Sequence, residues 1–476
     1  MFELIVSIIV FVLQVAVVCR AITRPHRAPA SRIAWVAVIT FLPVLGMIAY
    51  AILGETNIGR ERVRRLHAAE AHVQQPITSA GSAGAVTLAA GPLFEMTRSI
   101  NNLSPQRGNR IVLMEDSDSA IASLIADIDA AREQVHLSFY IWLDDHNGGK
   151  VADSVAAAAA RGVQCRVTAD ALGSRAFIAG PRWNQLRAAG VHLAASLDDI
   201  PRIGRFPVGR VDLRNHRKIA VIDNRIAYCG SQNCADPAFT VKAKYAPWVD
   251  VFFRCEGPVV RQEQWLFLTG WAAETGEQID AGAVNTSPVD EYDEDVIAAM
   301  FGTGPTTRAG AMSDVFVSCI YSARDELTIS TPYFVPDEAL LDALCAAPRR
   351  GVKTTMVVPK RNDSWFVGRA AYNTYDSLLS AGVELYEYPL GLLHSKTLTI
   401  DGQIALVGSA NMDRRSLELN YENNLLIAEP KVTAAVRARQ QTYLDASTPI
   451  PLSAVQTWSF PRRLAQNTVA MLAPLL

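Results

Sequence analysis

Hydrophobic positions open the chain in two long runs and afterwards come in short blocks. Leu4–Cys19 (LIVSIIVFVLQVAVVC) is broken only by Ser7 and Gln14, and Ile33–Leu53 (IAWVAVITFLPVLGMIAYAIL) holds no charge. A helix needs about 20 apolar residues to cross the hydrocarbon core. The runs therefore predict a transmembrane hairpin within residues 1–60, with helices at about 3–19 and 33–53. The first is slightly short and borrows Met1 and Phe2; Pro43 in the second is tolerable in a membrane. A cleaved signal peptide fits less well, because no Lys or Arg precedes the apolar stretch. Arg20, Arg24, Arg27 and Arg32 lie between the runs, and Arg60, Arg62, Arg64 and Arg65 follow them. Four against four leaves the orientation tied. Residues 61–92 are rich in Ala, Gly and Ser and read as a linker.

Beyond the linker, strand-like blocks such as VHLSFYIW alternate with helical stretches, and the pattern occurs twice. RNHRKIAVIDNRIAYCGSQN (214–233) has a twin in LHSKTLTIDGQIALVGSAN (393–411). Both read H-x-K-x4-D followed by G-S-x-N. The five shared residues keep one offset of 178, and weaker echoes upstream keep offsets near 190. Such a period is too long for a solenoid. It predicts a duplicated domain, 93–270 and 300–446, with a C-terminal tail at 447–476. The βα order predicts two α/β sandwiches, each a mixed sheet flanked by helices, about a pseudo-two-fold axis.

Residues two apart on a strand share a face. His216 and Lys218 therefore point the same way, as do His394 and Lys396. Asp223-Asn224 and Asp401-Gly402 should reverse the chain, returning Ser231 with Asn233, and Ser409 with Asn411, beside each His-Lys pair. Two ammonium groups, two hydroxyls and two amides suit phosphate binding and the charge of a five-coordinate transition state. One imidazole can attack phosphorus while the other protonates the leaving oxygen. Asp223 and Asp401 have the opposite strand parity and should hold the turns. Each His needs an acidic orienter; Asp250 and Glu422, 34 and 28 residues past the His of their own half, are the candidates.

The remaining counts alter this picture little. A net charge of −2 over 476 residues leaves attraction to an anionic partner to local clusters. One such rim is Arg202, Arg205, Arg210, Arg214 and Arg217. Seven irregularly spaced Cys, with no C-x-x-C, argue against a disulfide framework or a zinc site. No metal site and no cofactor are expected. Phe139-Tyr140-Ile141-Trp142 reads as strand core. The C-terminal stretch with Leu464, Val469, Leu472 and Leu476 at helical spacing should dock on the body.

The duplicated motif resembles the phospholipase D superfamily. YIWLDD (140–145), WVDVFFRCEGPVV (248–260), STPYFVPDE (330–338) and NMDRRSLELNYE (411–422), with the apolar N-terminus, resemble the bacterial cardiolipin synthase family. That resemblance implies two phospholipase D-like sandwich domains behind a transmembrane hairpin. It also implies transfer between two phosphatidylglycerol molecules, giving cardiolipin and glycerol through a phosphohistidine. It assigns His216, Lys218 and Asp223, with His394, Lys396 and Asp401, as the catalytic motif; His216 would be the nucleophile and His394 the general acid. Implied partners are phosphatidylglycerol, other anionic phospholipids and the bilayer, not nucleic acid. The implied location is the bacterial plasma membrane, multi-pass, with the catalytic part cytoplasmic. The first motif ends in NCADPAF and lacks the R-S-x3-N-x-E that Arg415, Ser416, Asn420 and Glu422 supply to the second. A hydrolase of the same fold is the alternative. A non-catalytic scaffold is disfavoured because both motifs are complete.

Overall fold

The computed structural model describes residues 1–25, 29–55, 58–77, 90–198, 202–203, 206–207, 210, 212–286, 290 and 292–472, without the side chains of 202–203, 206–207 and 472. Arg27, Arg205 and Leu476, the Arg202 and Leu472 side chains and most of the Ala/Gly/Ser stretch lie outside the described residues.

Leaving two-residue pairings unnumbered, the first half contributes β1 (Gln106–Leu113), β2 (Gln134–Phe139), β3 (Gln164–Asp170), β4 (His192–Ser196), β5 (Lys218–Ile222), β6 (Ile226–Gly230) and β7 (Phe252–Glu256). The second contributes β8 (Val296–Thr303), β9 (Glu326–Ser330), β10 (Lys353–Pro359), β11 (Glu384–Tyr388), β12 (Thr397–Ile400), β13 (Ile404–Gly408) and β14 (Glu422–Ala428). One sheet runs through both, in the order β4-β3-β2-β5-β6-β7-β1 and then β8-β14-β13-β12-β9-β10-β11, with Thr448–Pro449 at the far edge. The two orders mirror each other about the antiparallel β1–β8 seam. In each half three strands are parallel, joined by crossover helices, and the motif strands form an antiparallel hairpin. KIAVI in β5 and TLTI in β12 are buried at every position, so both faces of these strands are covered.

The halves share a core. One apolar cluster takes Val221 and Phe253 from the first and Met300, Ala405 and Leu425 from the second. The helix Val260–Thr275 crosses the seam, and its Gln262 donates to the Ser104 carbonyl at 2.6 Å while accepting from Met300 N–H at 2.7 Å. The helix Gly91–Asn101, which the sequence groups with the first half, packs its Leu93 and Phe94 into the core of the second. Part of the expected linker is the helix Arg60–His72, held to the body by a buried Arg62–Glu274 ion pair. The C-terminal helix Phe460–Leu472 docks through Val469, which is buried, whereas Leu464 stays exposed.

The motif hairpins turn as expected. Asp223 and Asn224 (φ 50° and 54°), and Asp401 and Gly402 (φ 51° and 63°), take the paired left-handed conformations of a type I′ turn. Each aspartate then clamps the start of the neighbouring strand. Asp223 accepts from the N–H groups of Arg132, Glu133 and Gln134 at 2.8–2.9 Å, and Asp401 from those of Arg324, Asp325 and Glu326 at the same distances. At ~3.3 Å per strand residue, Asp223 sits roughly 16 Å along β5 from Lys218. Both aspartates belong to the scaffold; the catalytic placement implied by the family pattern does not apply to them.

The N-terminus departs from the expected pair of spanning helices. The helix Phe2–Thr23 is the one long and apolar enough among the described residues. The second run is instead broken into Pro29–Phe41, Pro43–Ala49 and a π-helical turn Tyr50–Gly54. Leu42, constrained by the following proline, leaves helical geometry at φ −127°, ψ 70°. The chain then folds back on itself. Trp35 meets Tyr50 edge-on at 5.2 Å between centroids, and a Cβ on Gly46 would lie 2.5 Å from the Val38 carbonyl oxygen. Pro43 has no N–H for the Ile39 carbonyl; Gln14 on the first helix donates to it at 3.0 Å. Glu55 consequently returns to Arg20, at 2.6 Å, and to Arg24, at 3.5 Å.

Candidate active site

Each motif histidine emerges from a short parallel pairing with the opposite half. His216 N–H donates to the Tyr421 carbonyl at 2.9 Å, and His394 N–H donates to the Val249 carbonyl at 2.8 Å. The residue following each acceptor is an acid. His216 Nδ1 therefore meets Glu422 Oε2 at 2.8 Å, and His394 Nδ1 meets Asp250 Oδ1 at 2.6 Å. The acids expected to serve the His of their own half are exchanged across the seam. Neither half holds a complete imidazole–carboxylate pair, and together they hold two.

The serines support these acids. Ser231 Oγ donates to Asp250 Oδ1 at 2.6 Å, and Ser409 Oγ donates to Glu422 Oε2. A hydroxyl has one proton, so neither serine has a donor left for a phosphate. The expected phosphate-binding role of Ser231 and Ser409 is replaced by orientation of the carboxylates. Ser416 Oγ, at 2.7 Å, and Asn420 Nδ2, at 3.3 Å, secure the other Glu422 oxygen.

Both histidines line one cavity of about 760 Å³. Asn233 and Asn411 line it too, each with part of its amide unpaired: Nδ2 of Asn233 and Oδ1 of Asn411. Lys218 and Lys396 are buried beside their histidines, each donating from Nζ to the carbonyl of its own His at 2.6 Å. Tyr140 packs on His216 at 4.8 Å, Trp248 on His394 at 4.6 Å, and Tyr333 on His394 at 6.4 Å. One wall is apolar, with Leu143, Phe239, Val241 and Trp248; another is polar, with Arg214, Asp413, Arg415 and Asn420.

Of the expected basic rim, only Arg214 of the described side chains reaches this cavity. Arg210 is buried against Asp212 at 2.8 Å, and Arg217 points to the opposite side of the sheet, over the Tyr421 ring. Arg415, which the rim did not include, takes a place in the wall and binds Asp212 at 2.5 Å. Tyr140 was legible only as strand core, and Trp248 and Tyr333 only as members of the stretches WVDVFFRCEGPVV and STPYFVPDE. Asn423 was not legible at all: its amide accepts from Lys218 N–H at 3.0 Å, donates to the Lys218 carbonyl at 3.1 Å and donates to Glu263 at 2.8 Å. The doubled Asn after Glu422 is its only sequence trace.

Burial dominates the electrostatics. It pushes His216 and His394 down to about 4, against the pull of Glu422 and Asp250 toward the imidazolium. The carboxylates, although burial opposes their ionisation, are held below the usual range, Asp250 chiefly by His394 and Lys396, Glu422 chiefly by His216 and Lys218. The resting site thus holds neutral imidazoles that donate from Nδ1 and leave Nε2 for substrate. Burial lowers Lys218 to about 8 and Lys396 to about 7. Among the described residues no three His, Cys, Asp or Glu side chains are grouped to hold a metal ion.

The family model "Cardiolipin synthase, PLD-like domain" matches residues 124–246 and 316–443, one match per half, and "Phospholipase D-nuclease N-terminal" matches 12–55. Cardiolipin synthase A of Escherichia fergusonii is 36% identical over 443 residues, covering 91% of this chain and 90% of that one. Cardiolipin synthase A of Escherichia coli O1:K1 / APEC is 34% identical over 478 residues, covering 99% and 98%. Among solved structures, phosphatidylserine synthase of Haemophilus influenzae Rd KW20 shares the fold, with a TM-score of 0.59 at 14% identity over 82% of this chain and 100% of that one. With two repeats matched and near-complete coverage by relatives above 30% identity, the chain belongs to the cardiolipin synthase family of phospholipase D-like, membrane-associated proteins.

Proposed function

We propose that this protein is a phosphatidyltransferase that makes cardiolipin and glycerol from two phosphatidylglycerol molecules. The observation that carries the reading is the pair of imidazole–carboxylate couples, exchanged between halves, facing one cavity with an apolar wall. His216 Nε2 attacks phosphorus and His394 supplies a proton to the departing glycerol oxygen. His394 is neutral at rest; the negative phosphodiester beside it raises its proton affinity and loads that proton. In the return step a hydroxyl of the second lipid attacks, the P–N bond breaks, its electrons return to His216, and the proton passes to His394. Lys218, Lys396, Asn233 and Asn411 supply the positive charge and amide donors for the phosphoryl oxygens.

Phosphatidylglycerol alone, incubated with purified enzyme in excess chelator, should yield cardiolipin and glycerol in equal amounts. Phosphatidic acid as the sole product would make the enzyme a hydrolase. Complete loss of turnover in chelator, restored by one added metal ion, would contradict charge stabilisation by the lysines and amides.

Acidity follows from the same groups. The profile of kcat/KM reports the free enzyme. It should fall as pH rises above about 4, because the reacting enzyme carries on His394 one proton more than the resting one, and fall more steeply through about 7 to 8, where Lys396 and Lys218 lose their protons; below about 4 it should fall as His216 becomes charged. The alkaline limb of kcat should lie higher, because bound phosphodiester stabilises both ammonium groups. A kcat/KM that is flat or rising between pH 7 and 9 would exclude protonated lysines as the phosphate ligands.

We also propose that the catalytic body faces the cytoplasm. Because the second apolar run folds back, Arg20, Arg24 and Arg32 share one end of the anchor with Glu55 and the arginines of the Arg60–His72 helix. The tied count becomes one-sided, and clustered arginines favour the cytoplasmic face. Protease added to intact spheroplasts should spare the body and cut it in inverted vesicles; cleavage in spheroplasts would reverse the orientation.

A further inference from the structure

Among the pseudo-symmetric positions at which the two halves of the cavity differ, one exchanges an apolar side chain for a buried acid. In the second half it is Asp413; 178 residues earlier it is Ala235. Ala235 lies in an apolar cluster with Leu143, Phe239, Trp248 and Leu392. Asp413 lines the cavity and is 5% exposed. Its Oδ1 accepts from Ser416 N–H at 2.9 Å, capping the short helix Arg414–Glu418, and the Ser416 hydroxyl also acts on the carboxylate; no other residue hydrogen-bonds to its side chain among the described residues.

Capping alone does not explain a carboxylate here. Asn and Ser cap as well as Asp, and neither brings a charge into a site that already holds Asp250 and Glu422. Burial pushes Asp413 up to about 6, a measure of how unfavourable that charge is, yet it remains ionised at neutral pH. A buried carboxylate that lines a cavity, with Ser416 as its one hydrogen-bonding neighbour among the described residues and two oxygens to accept with, suits a hydroxyl donor. The headgroup handled in the proposed reaction is a glycerol, with one hydroxyl that reacts and a neighbouring one that does not.

We propose that Asp413 Oδ2 accepts a hydrogen bond from the non-reacting hydroxyl of the acceptor glycerol and so selects a vicinal diol over water or a simple alcohol. The assignment rests on reading the site as a phosphatidyltransferase. In the transfer step the primary hydroxyl attacks phosphorus and gives its proton to His394, while the secondary hydroxyl stays protonated and holds the acceptor through Asp413. Arg415 and Asn420 line the same cavity and carry the same headgroup, and the apolar cluster of Leu143, Phe239 and Trp248 receives chain carbons.

The test is a competition. Full-length enzyme in detergent with phosphatidylglycerol as donor is offered propane-1,2-diol and propan-1-ol at equal concentration, and the phosphatidyl products are quantified with phosphatidic acid. The wild type should prefer the diol by about ten-fold or more, the scale of one hydrogen bond to a charged group. Asp413→Ser keeps the cap and loses the reach; Asp413→Asn keeps the cap and the reach but puts an Nδ2 donor, which can only meet the hydroxyl oxygen, where Oδ2 accepts. In Asp413→Ser the preference should collapse toward unity and the share of phosphatidic acid should rise, with Asp413→Asn intermediate. Loss of a cap alone lowers all products together and leaves their ratio alone. A diol preference absent from the wild type, or unchanged in both variants, overturns the proposal while leaving cardiolipin formation standing. No cardiolipin from phosphatidylglycerol in the wild type instead removes the reading on which it rests.

Discussion

His216→Ala is expected to abolish both turnover and the covalent phosphatidyl-enzyme, a loss of about 10⁵-fold or more. The other neutral imidazole of the cavity, His394, is assigned to proton transfer, and Lys218 and Lys396 are ammonium groups held through Nζ by the carbonyls of their own histidines. His394→Ala is expected to be as damaging with phosphatidylglycerol, whose glycerol leaves as a strongly basic alkoxide. With an activated aryl phosphodiester the leaving group needs no proton, so His394→Ala should recover much of its rate and His216→Ala none. The two losses with the natural substrate should not add, since both residues act in one step. Rescue of His216→Ala by the aryl substrate, with His394→Ala left inactive, would interchange the roles.

The exchanged acids give the second large effect. Asp250 lies in the first half but orients His394; Glu422 lies in the second but orients His216. Replacing either by its amide removes the anion that fixes the Nδ1–H tautomer and stabilises the imidazolium, at a cost of about 10³–10⁴-fold. Asp250→Asn should then behave as a general-acid variant, rescued by the aryl phosphodiester, and Glu422→Gln as a nucleophile variant, not rescued. Pairing within each half predicts the opposite pattern. The rescue assay therefore reads the seam directly, even though the two acids are chemically alike.

Much of this architecture is legible in the chain because it depends on short-range periodicity. Residues two apart on β5 and β12 show their common face, Asp-Asn and Asp-Gly show the turns, and the constant offset of 178 shows the duplication. What escapes is set by the seam. In sequence, Asp250 is nearer to His216 and Glu422 nearer to His394; only the parallel pairing of 392–393 with 248–249, and of Asn215 with Tyr421, brings each acid to the other histidine. The serines look available to substrate until the acid beside them is placed. Tyr140 reads as core because the cavity it lines exists only once the halves meet. The aspartates show the reverse case, where strand parity already pointed to the scaffold and the family pattern pointed to chemistry.

The apolar N-terminus fails for a different reason. Hydropathy measures how much apolar surface a run carries, not whether its helix continues. Pro43 withdraws the N–H that Ile39 needs, Gly46 lets the returning helix approach, and Gln14 supplies the missing donor. These three residues sit in plain view, but their meaning depends on contacts that periodicity does not show: Gly46 against Val38, and Gln14 against Ile39 twenty-five residues away. The consequence for orientation is large, because it moves one arginine cluster to the same end as the other.

The two half-sites are expected to form one ping-pong centre with His216 as the covalent carrier. A single turnover with headgroup-labelled and phosphorus-labelled phosphatidylglycerol, quenched in alkali and mapped by peptide mass spectrometry, tests it most directly. One equivalent of glycerol should be released and the phosphorus label should sit on the peptide containing His216, absent in His216→Ala and accumulated when enzyme exceeds lipid, so that no second phosphatidylglycerol is left to accept. Label on the His394 peptide, or glycerol release with no protein-bound phosphorus, would contradict it.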